Sequence, residues 1–286
     1  DLYIGGFEHA AGHLIYFRFI TLFLHDHGFL TVQEPAVKLF NHGMVLDEHG
    51  DVMSKSKGNA VSPRDLIDAN GIDVARIAVL FFAPPGREIR WHKKGLKGAQ
   101  RFLTRFGALA GEHLANYHGM DANKLQQKDY QFYRIIEETI RSVTIDMDRL
   151  DFNTAIASLM ELLNHMQGFE QKDAPIFQYA IRKFNLMLAP FAPHLAEEIF
   201  SRYASSDSVF HETWPSYDEN AIKKEEATIV IQINGKVRSR FMVHIGTDVE
   251  VIKKRALEDE KIKKYLSNKE IKKFIYINDK ILNIVL

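Results

Sequence analysis

The sequence predicts an α/β segment, then an all-α helix bundle, then a small α+β domain. Three observations carry this reading. Strand-like runs alternate with helical stretches and Gly- or Pro-marked turns up to about residue 93. A helical three-to-four spacing of apolar residues then persists from about Lys94 to Tyr203, and period-two alternation around Asn234-Gly235 replaces it in the tail. The domains are therefore placed at 1–93, 94–222 and 223–286. With 46% hydrophobic and 26% charged residues in 286, the composition is that of a folded chain long enough to bury a sizeable core. Cysteine is absent, which excludes disulfides, thiolate metal sites and thiol catalysis. No apolar run reaches the roughly 18 residues that a membrane span needs.

In the first domain, Asp1 to Ile4 reads as a strand, Gly5-Gly6 as a turn, and Phe7 to His27 as a helix stopped by Gly28. Apolar residues on most sides of that helix (Leu14, Ile15, Phe17, Phe19, Ile20, Phe23) predict burial against a sheet. An apolar run from Pro35 to Leu46 predicts a strand, and Asp47-Glu48-His49-Gly50 a turn. After the loop Val52–Asn59, Ser62-Pro63 opens a helix as N-cap and N1 residue. Another helix spans about Asp73 to Phe82 and stops before Pro84-Pro85.

Four or five helices follow. Phe102, Phe106 and Leu109 share one face, as do Phe132, Ile136, Ile140 and Val143, and Ile181, Phe184 and Leu188. In the tail, Thr228–Ile233 and Val237–Val243 flank Asn234-Gly235, a strong hairpin signal. Lys-rich amphipathic helices at Val249–Glu258 and Glu260–Leu266 come next, then strands near Phe274–Ile277 and Ile281–Val285 around Asn278-Asp279.

Charge is balanced overall, 37 basic against 37 acidic, but unevenly placed. From Ala221 onward there are 15 basic and 9 acidic residues, leaving 22 and 28 before it. A basic tail fits either nucleic-acid contact or a solvated lysine surface.

The loop Val52-Met53-Ser54-Lys55-Ser56-Lys57-Gly58-Asn59 is the stretch richest in chemistry. Two lysines, two hydroxyls and a glycine between a strand and a helix suit a polyphosphate, although composition alone also fits a flexible surface loop. It is not a Walker loop, since no Gly stands five residues ahead of a Gly-Lys-Ser/Thr run.

Met-Ser-Lys-Ser-Lys-Gly-Asn resembles the KMSKS signature of class I aminoacyl-tRNA synthetases. Gly5-Gly6-Phe7-Glu8-His9 resembles the Gly-Gly-x-Glu-His element of the leucyl enzymes. Phe40 to Leu46, Gly95 to Phe102, Leu188 to Glu198, Trp214-Pro215 and Gln232 to Arg238 are similar to the same family, in its order and over essentially the whole chain. The resemblance implies the C-terminal part of a Rossmann-type catalytic domain, an anticodon-binding type of bundle and a basic C-terminal domain. It implies a leucine–tRNA ligase, with ATP and Mg²⁺ as the substrate complex and a cytoplasmic location.

Roles follow from the resemblance by position. Lys55 is expected to hold the ATP phosphates and stabilise departing pyrophosphate, with Ser54 and Ser56 shaping the loop and Lys57 as an auxiliary charge. Val52 stands where the signature has its first lysine, so the task of that lysine is either missing or done by a neighbour. Gly5 and Gly6 allow close approach of adenosine, Glu8 accepts from the ribose, and the backbone of Met44 and Val45 reads the adenine edge. His9 and His13 are expected beside the leucine side chain. A zinc reading of His9 and His13 fails for want of a third ligand and of a Glu at position 10, which is Ala10; no metal site is expected.

Lys236, Arg238 and Arg240, at period two on one strand, are expected to share a face and grip the tRNA backbone. The resemblance also implies a partner: an N-terminal half carrying the HIGH signature and an editing domain. The chain then reads as the small subunit of a split, heterodimeric leucyl enzyme, or as a shortened piece of one. Such a half-domain is expected to expose a broad apolar surface. The competing reading is a non-catalytic tRNA-binding protein that keeps the scaffold.

Overall fold

The computed structural model describes residues 1–92, 94–114, 119–204, 207–223, 226–244, 246–266, 270–277 and 280–286. These form two compact units, Asp1–Ala221 and Ile222–Leu286.

In the first unit, β1 (Leu2–Gly6) pairs in parallel with β2 (Lys38–His42), from Leu2 opposite Lys38 to Gly6 opposite His42. The connection is a π turn (Ala10–Leu14) running into α1 (Ile15–Asp26), with Gly28 as the left-handed residue after it. Two expectations need correction here. Gly5-Gly6 is not a turn: the ladder with β2 continues through both residues, and the chain turns at Phe7-Glu8 instead. The Pro35–Leu46 run is not one strand but two, because Gly43 and Met44 carry the chain from β2 into β3 (Val45–Leu46) of a different sheet. There β3 pairs in parallel with β4 (Ile89–Arg90).

α1 is also not buried. Thr21 is its sole buried residue, whereas Ile15, Tyr16, Phe19, Ile20 and Phe23 are exposed, Phe19 to 61%. Apolar residues around a helix signal burial only when a second layer covers them, and one two-stranded sheet covers a single side.

The helices α2 (Pro63–Asn70) and α3 (Ile72–Phe82) lead from the signature loop into the bundle. Ser62 caps α2 by accepting from the Asp65 N–H, with Pro63 in the first turn, as its residue types require. The bundle comprises α4 (Lys94–His113), α5 (Gln127–Arg149), α6 (Phe152–Gly168), α7 (Pro175–Leu188) and α8 (Pro193–Phe200). Its apolar stripes meet in one core with α3, where Phe106 and Phe184 stack with ring centroids 4.1 Å apart.

The run Leu188–Glu198 has a structural task. Arg76 of α3 donates to the carbonyls of Pro190 and Phe191, while the Asp73 carboxylate accepts from the Leu195 N–H at 2.8 Å and meets His194 Nδ1 at 3.0 Å. A side chain of α3 thus caps α8 and ties the α/β segment to the bundle. A short helix, α9 (Glu219–Ile222), stands at the boundary between the units.

The second unit is a four-stranded sheet in the order β6-β5-β8-β7, built from β5 (Glu226–Ile233), β6 (Lys236–His244), β7 (Lys273–Ile277) and β8 (Ile281–Val285). The β5–β6 hairpin turns at Asn234 and Gly235, both at positive φ as a primed turn demands. α10 (Val249–Glu258) and α11 (Glu260–Leu266) cover one sheet face, with Ile252 and Ile262 buried against Ile229, Ile231 and Leu282. The expected turn at Asn278-Asp279 lies outside the described residues.

Candidate active site and RNA-binding residues

The signature loop is ordered by its own hydrogen bonds. Lys55–Lys57 form one 3₁₀ turn whose N-cap is Ser54, with the Ser54 Oγ accepting from the Lys57 N–H at 3.2 Å. Ser54 Oγ and Ser56 Oγ lie 3.1 Å apart, and Gly58 closes the turn at φ +70°, a conformation that side chains resist. Asn59 is the brace. Its Oδ1 accepts from the Ser54 N–H at 2.9 Å, and its Nδ2 donates to Asp47 Oδ2 at 2.8 Å. Asp47 in turn accepts from the backbone N–H groups of His49 and Asp51, both at 2.9 Å. The Asn59 amide, followed by the Asp51 N–H, holds the Asp47 carboxyl below its ordinary range. The base of the loop is pinned where the Met53 N–H donates to Val45 O at 3.0 Å. Lys55, Ser56 and Lys57 are left exposed, so a rigid frame presents mobile ammonium groups to solvent.

Gly5, Gly6, Glu8, His9 and His13 gather at the carboxyl end of β1. Glu8 folds back over Gly6, where a Cβ would clash with the Glu8 carboxylate. His9 Nε2 lies 3.6 Å from the same carboxylate oxygen. His13 turns toward β1, where its Nε2 meets the Tyr3 hydroxyl and its ring stacks on Phe17 with centroids 5.5 Å apart. The two histidines, His9 just before the π turn and His13 within it, therefore have different neighbours, His9 a carboxylate and His13 two aromatic rings.

Gly6 is the register partner of His42, and three residues of chain lead from His42 to Val45, at most about 10 Å of reach. The Gly-Gly end of β1 and the root of the signature loop thus belong to one locality at the carboxyl ends of parallel strands. Ligands of open α/β sheets bind at such ends. The Met44 and Val45 carbonyls accept from the Ile89 and Met53 N–H groups, each keeping a second lone pair.

In the second unit, the expected common face of Lys236, Arg238 and Arg240 is broken. Gln232 pairs with Val237 but Ile231 with Ser239, so Arg238 is the extra residue of a bulge. Its guanidinium lies over the Tyr265 ring at 4.1 Å and donates to the Tyr265 hydroxyl, on the helix-covered side. Ser239 and Val243 point to that covered side, so Arg240 and Met242 stand on the opposite, open face. Lys236 pairs with Ile233 at the hairpin end and is exposed.

Residues 1–92 match the family described as tRNA synthetases class I (I, L, M and V), and residues 129–253 match the anticodon-binding domain of tRNA ligases. The leucine–tRNA ligases of Thermosipho melanesiensis and Petrotoga mobilis are 42% and 40% identical to this chain, over 100% of it and 36% of their own length. Residues 1–92 are a class I tRNA synthetase segment, and an anticodon-binding domain follows it.

The solved ternary complex of an Agrobacterium radiobacter K84 leucyl-tRNA synthetase with tRNA and LeuAMS superposes with a TM-score of 0.85 at 32% identity, over 100% of this chain and 38% of that one. A Mycobacterium tuberculosis methionyl-tRNA synthetase bound by methionyl-adenylate shares the fold, with a TM-score of 0.54 at 19% identity over 74% of this chain and 46% of that one. The chain thus spans little more than a third of the length of its leucine-specific relatives. Within this class I synthetase segment, sequence reasoning overlooked Tyr3 and Asp47. Tyr3 carried no signal beyond strand propensity. An Asp at the head of an Asp-x-x-Gly turn was visible, but not its reach of twelve residues to Asn59.

Proposed function

We propose that this chain supplies the signature-loop side of the activation site, the tRNA-binding bundle and the basic tail module of a leucine–tRNA ligase. It acts with the part of such an enzyme that lies outside the stretch shared with its relatives, the half bearing the HIGH signature and the editing domain. The observation that carries this reading is the Asp47–Asn59 brace, which holds Ser54–Gly58 in a defined turn with Lys55 facing outward.

In the first step the leucine carboxylate attacks the α-phosphorus of Mg²⁺-bound ATP, forming leucyl-adenylate and releasing pyrophosphate. Lys55 and the Ser54 and Ser56 hydroxyls stabilise the negative charge that grows on the leaving phosphates, with Lys57 beside them. Gly5 and Gly6 admit the adenosine, Glu8 accepts from its ribose hydroxyls, and the Met44 and Val45 backbone meets the adenine edge. His9 and His13 flank the leucine side chain, with Tyr3 fixing His13. In the second step a hydroxyl of the terminal tRNA ribose attacks the leucyl carbonyl and AMP departs. The tRNA is held through the bundle and through Lys236 and Arg240. The exposed apolar residues of α1, β1 and β2 suit the missing half as their cover. A cytoplasmic location belongs to the same reading.

Leucine-dependent ATP–pyrophosphate exchange tests it, on the chain alone and after mixing with a separately made N-terminal half. Exchange in the mixture is expected, and Lys55→Ala should lower it by about 10²-fold or more. Val52 favours a second reading, a non-catalytic tRNA-binding protein, because valine offers no ammonium at the first signature position. Silence in the mixture with tRNA binding retained decides for that alternative.

A further inference from the structure

A cavity of about 750 Å³ opens between the end of α3, the first three turns of α4 and the middle of α6. It is walled by Phe82, Phe102 and Met160, with Phe81 partly exposed. Among the described residues no carboxylate lines it. Arg101 and Arg105 stand one helical turn apart at its edge, and both are oriented by neutral partners. Arg101 Nε donates to the Lys97 carbonyl, and Arg105 donates to Asn164 Oδ1 at 2.6 Å and to Gln167 Oε1. Two guanidinium groups are thus fixed in place by neutral acceptors, beside an aromatic recess. Gly98 leaves the recess open, for a Cβ there would meet nothing within 4 Å.

A flat apolar body carrying an anion is the complement of this arrangement. The size lies within the range of small-ligand sites, and aromatic faces with flanking cations are how proteins hold the unpaired bases of nucleic acids. We infer that the cavity takes one nucleotide of bound RNA, its base against Phe81 and Phe82 and its phosphate on Arg101 and Arg105. The inference rests on the tRNA-binding reading above, and adds a specific binding site on the α3–α4–α6 surface.

Titration of the full chain against a fluorescein-labelled tRNA(Leu) transcript, followed by anisotropy at several KCl concentrations, tests it. Gly98→Leu fills the recess without a backbone clash and should raise Kd about tenfold, with thermal unfolding retained. Arg101→Gln with Arg105→Gln should also weaken binding and make the salt dependence shallower by about 0.7–0.9 for each phosphate that is no longer neutralised. Normal binding by Gly98→Leu overturns the inference, even if the arginine variant is weakened, because the arginines then act only as surface charge. Weakening by Lys236→Ala with both cavity variants unaffected overturns it while leaving tRNA binding standing, whereas no binding by the unsubstituted chain overturns both. AMP binding that Gly98→Leu abolishes, with RNA binding unchanged, assigns the cavity to a free nucleotide and also overturns it.

Discussion

Lys55 is exposed and has no fixed partner among the described residues, so its chemistry depends on the frame that carries it. Asn59 is that frame: one amide joins the Ser54 backbone to the Asp47 carboxylate. Asn59→Ala should therefore lower pyrophosphate exchange in the assembled enzyme about 10–100-fold through misplacement of Lys55, with melting of the chain little changed. The same brace has a pH signature. Asp47 titrates below its ordinary range in the folded chain, so its contribution is present above the unfolded carboxylate pKa of about 4 and is lost as pH falls through the lower folded value. Melting of the parent should lose more stability between pH 5 and pH 3 than melting of Asp47→Asn.

Among the elements, α5 carries an ionisable group sealed inside the bundle. Glu137 is 1% exposed, accepting from the Tyr179 hydroxyl and the Asp218 N–H, both at 2.7 Å. Through these bonds it fastens α7 and the segment before α9 onto α5. Burial pushes its carboxyl above the ordinary range, against the opposing pull of Tyr179. Glu137→Ala orphans both donors at roughly 1–3 kcal/mol each, which denaturant unfolding will show as a lower midpoint. Glu137→Gln keeps an acceptor for Tyr179 and should lie between the two. The α3–α8 clamp of Asp73 and Arg76 works at the same scale, since it joins the last helix before the bundle to the run Leu188–Glu198.

For the whole molecule, the consequential feature is the apolar surface of the first unit. Val37 is 80% exposed, and Leu2, Ile4, Tyr16, Phe19, Ile20 and Leu39 are each at least half exposed or close to it. Surfaces of this kind associate unless covered. Sedimentation velocity on the isolated chain should show concentration-dependent association, reduced by Phe19→Glu and suppressed by the N-terminal half. A monomer at high micromolar concentration would argue that the surface needs no cover.

Much of the architecture was legible because its signals are local. Ser62-Pro63, Asn234-Gly235 and the apolar stripes of α5 and α7 each specify backbone geometry through neighbours within a few residues, and the matching elements lie where the spacing put them. The signature loop was legible for a related reason: its residue types are contiguous, so their company needs no folding to be seen. Nothing local could announce the remainder. That Gly5-Gly6 extends a strand depends on hydrogen bonds to β2, more than thirty residues away, and the exposure of α1 depends on what does not cover it. The bulge that turns Arg238 away from Arg240 arises from the register of β5 against β6, which leaves no mark in an alternating sequence. The Asp47–Asn59 brace, the Tyr3–His13 hydrogen bond and the cavity beside Arg101 and Arg105 join residues from separate elements. The sequence by itself thus determined the order and kind of elements and the family that they resemble, since these rest on short-range propensity and contiguous motifs. Only tertiary structure decided which side chains meet and which faces stay open, because both are set by long-range packing and strand register.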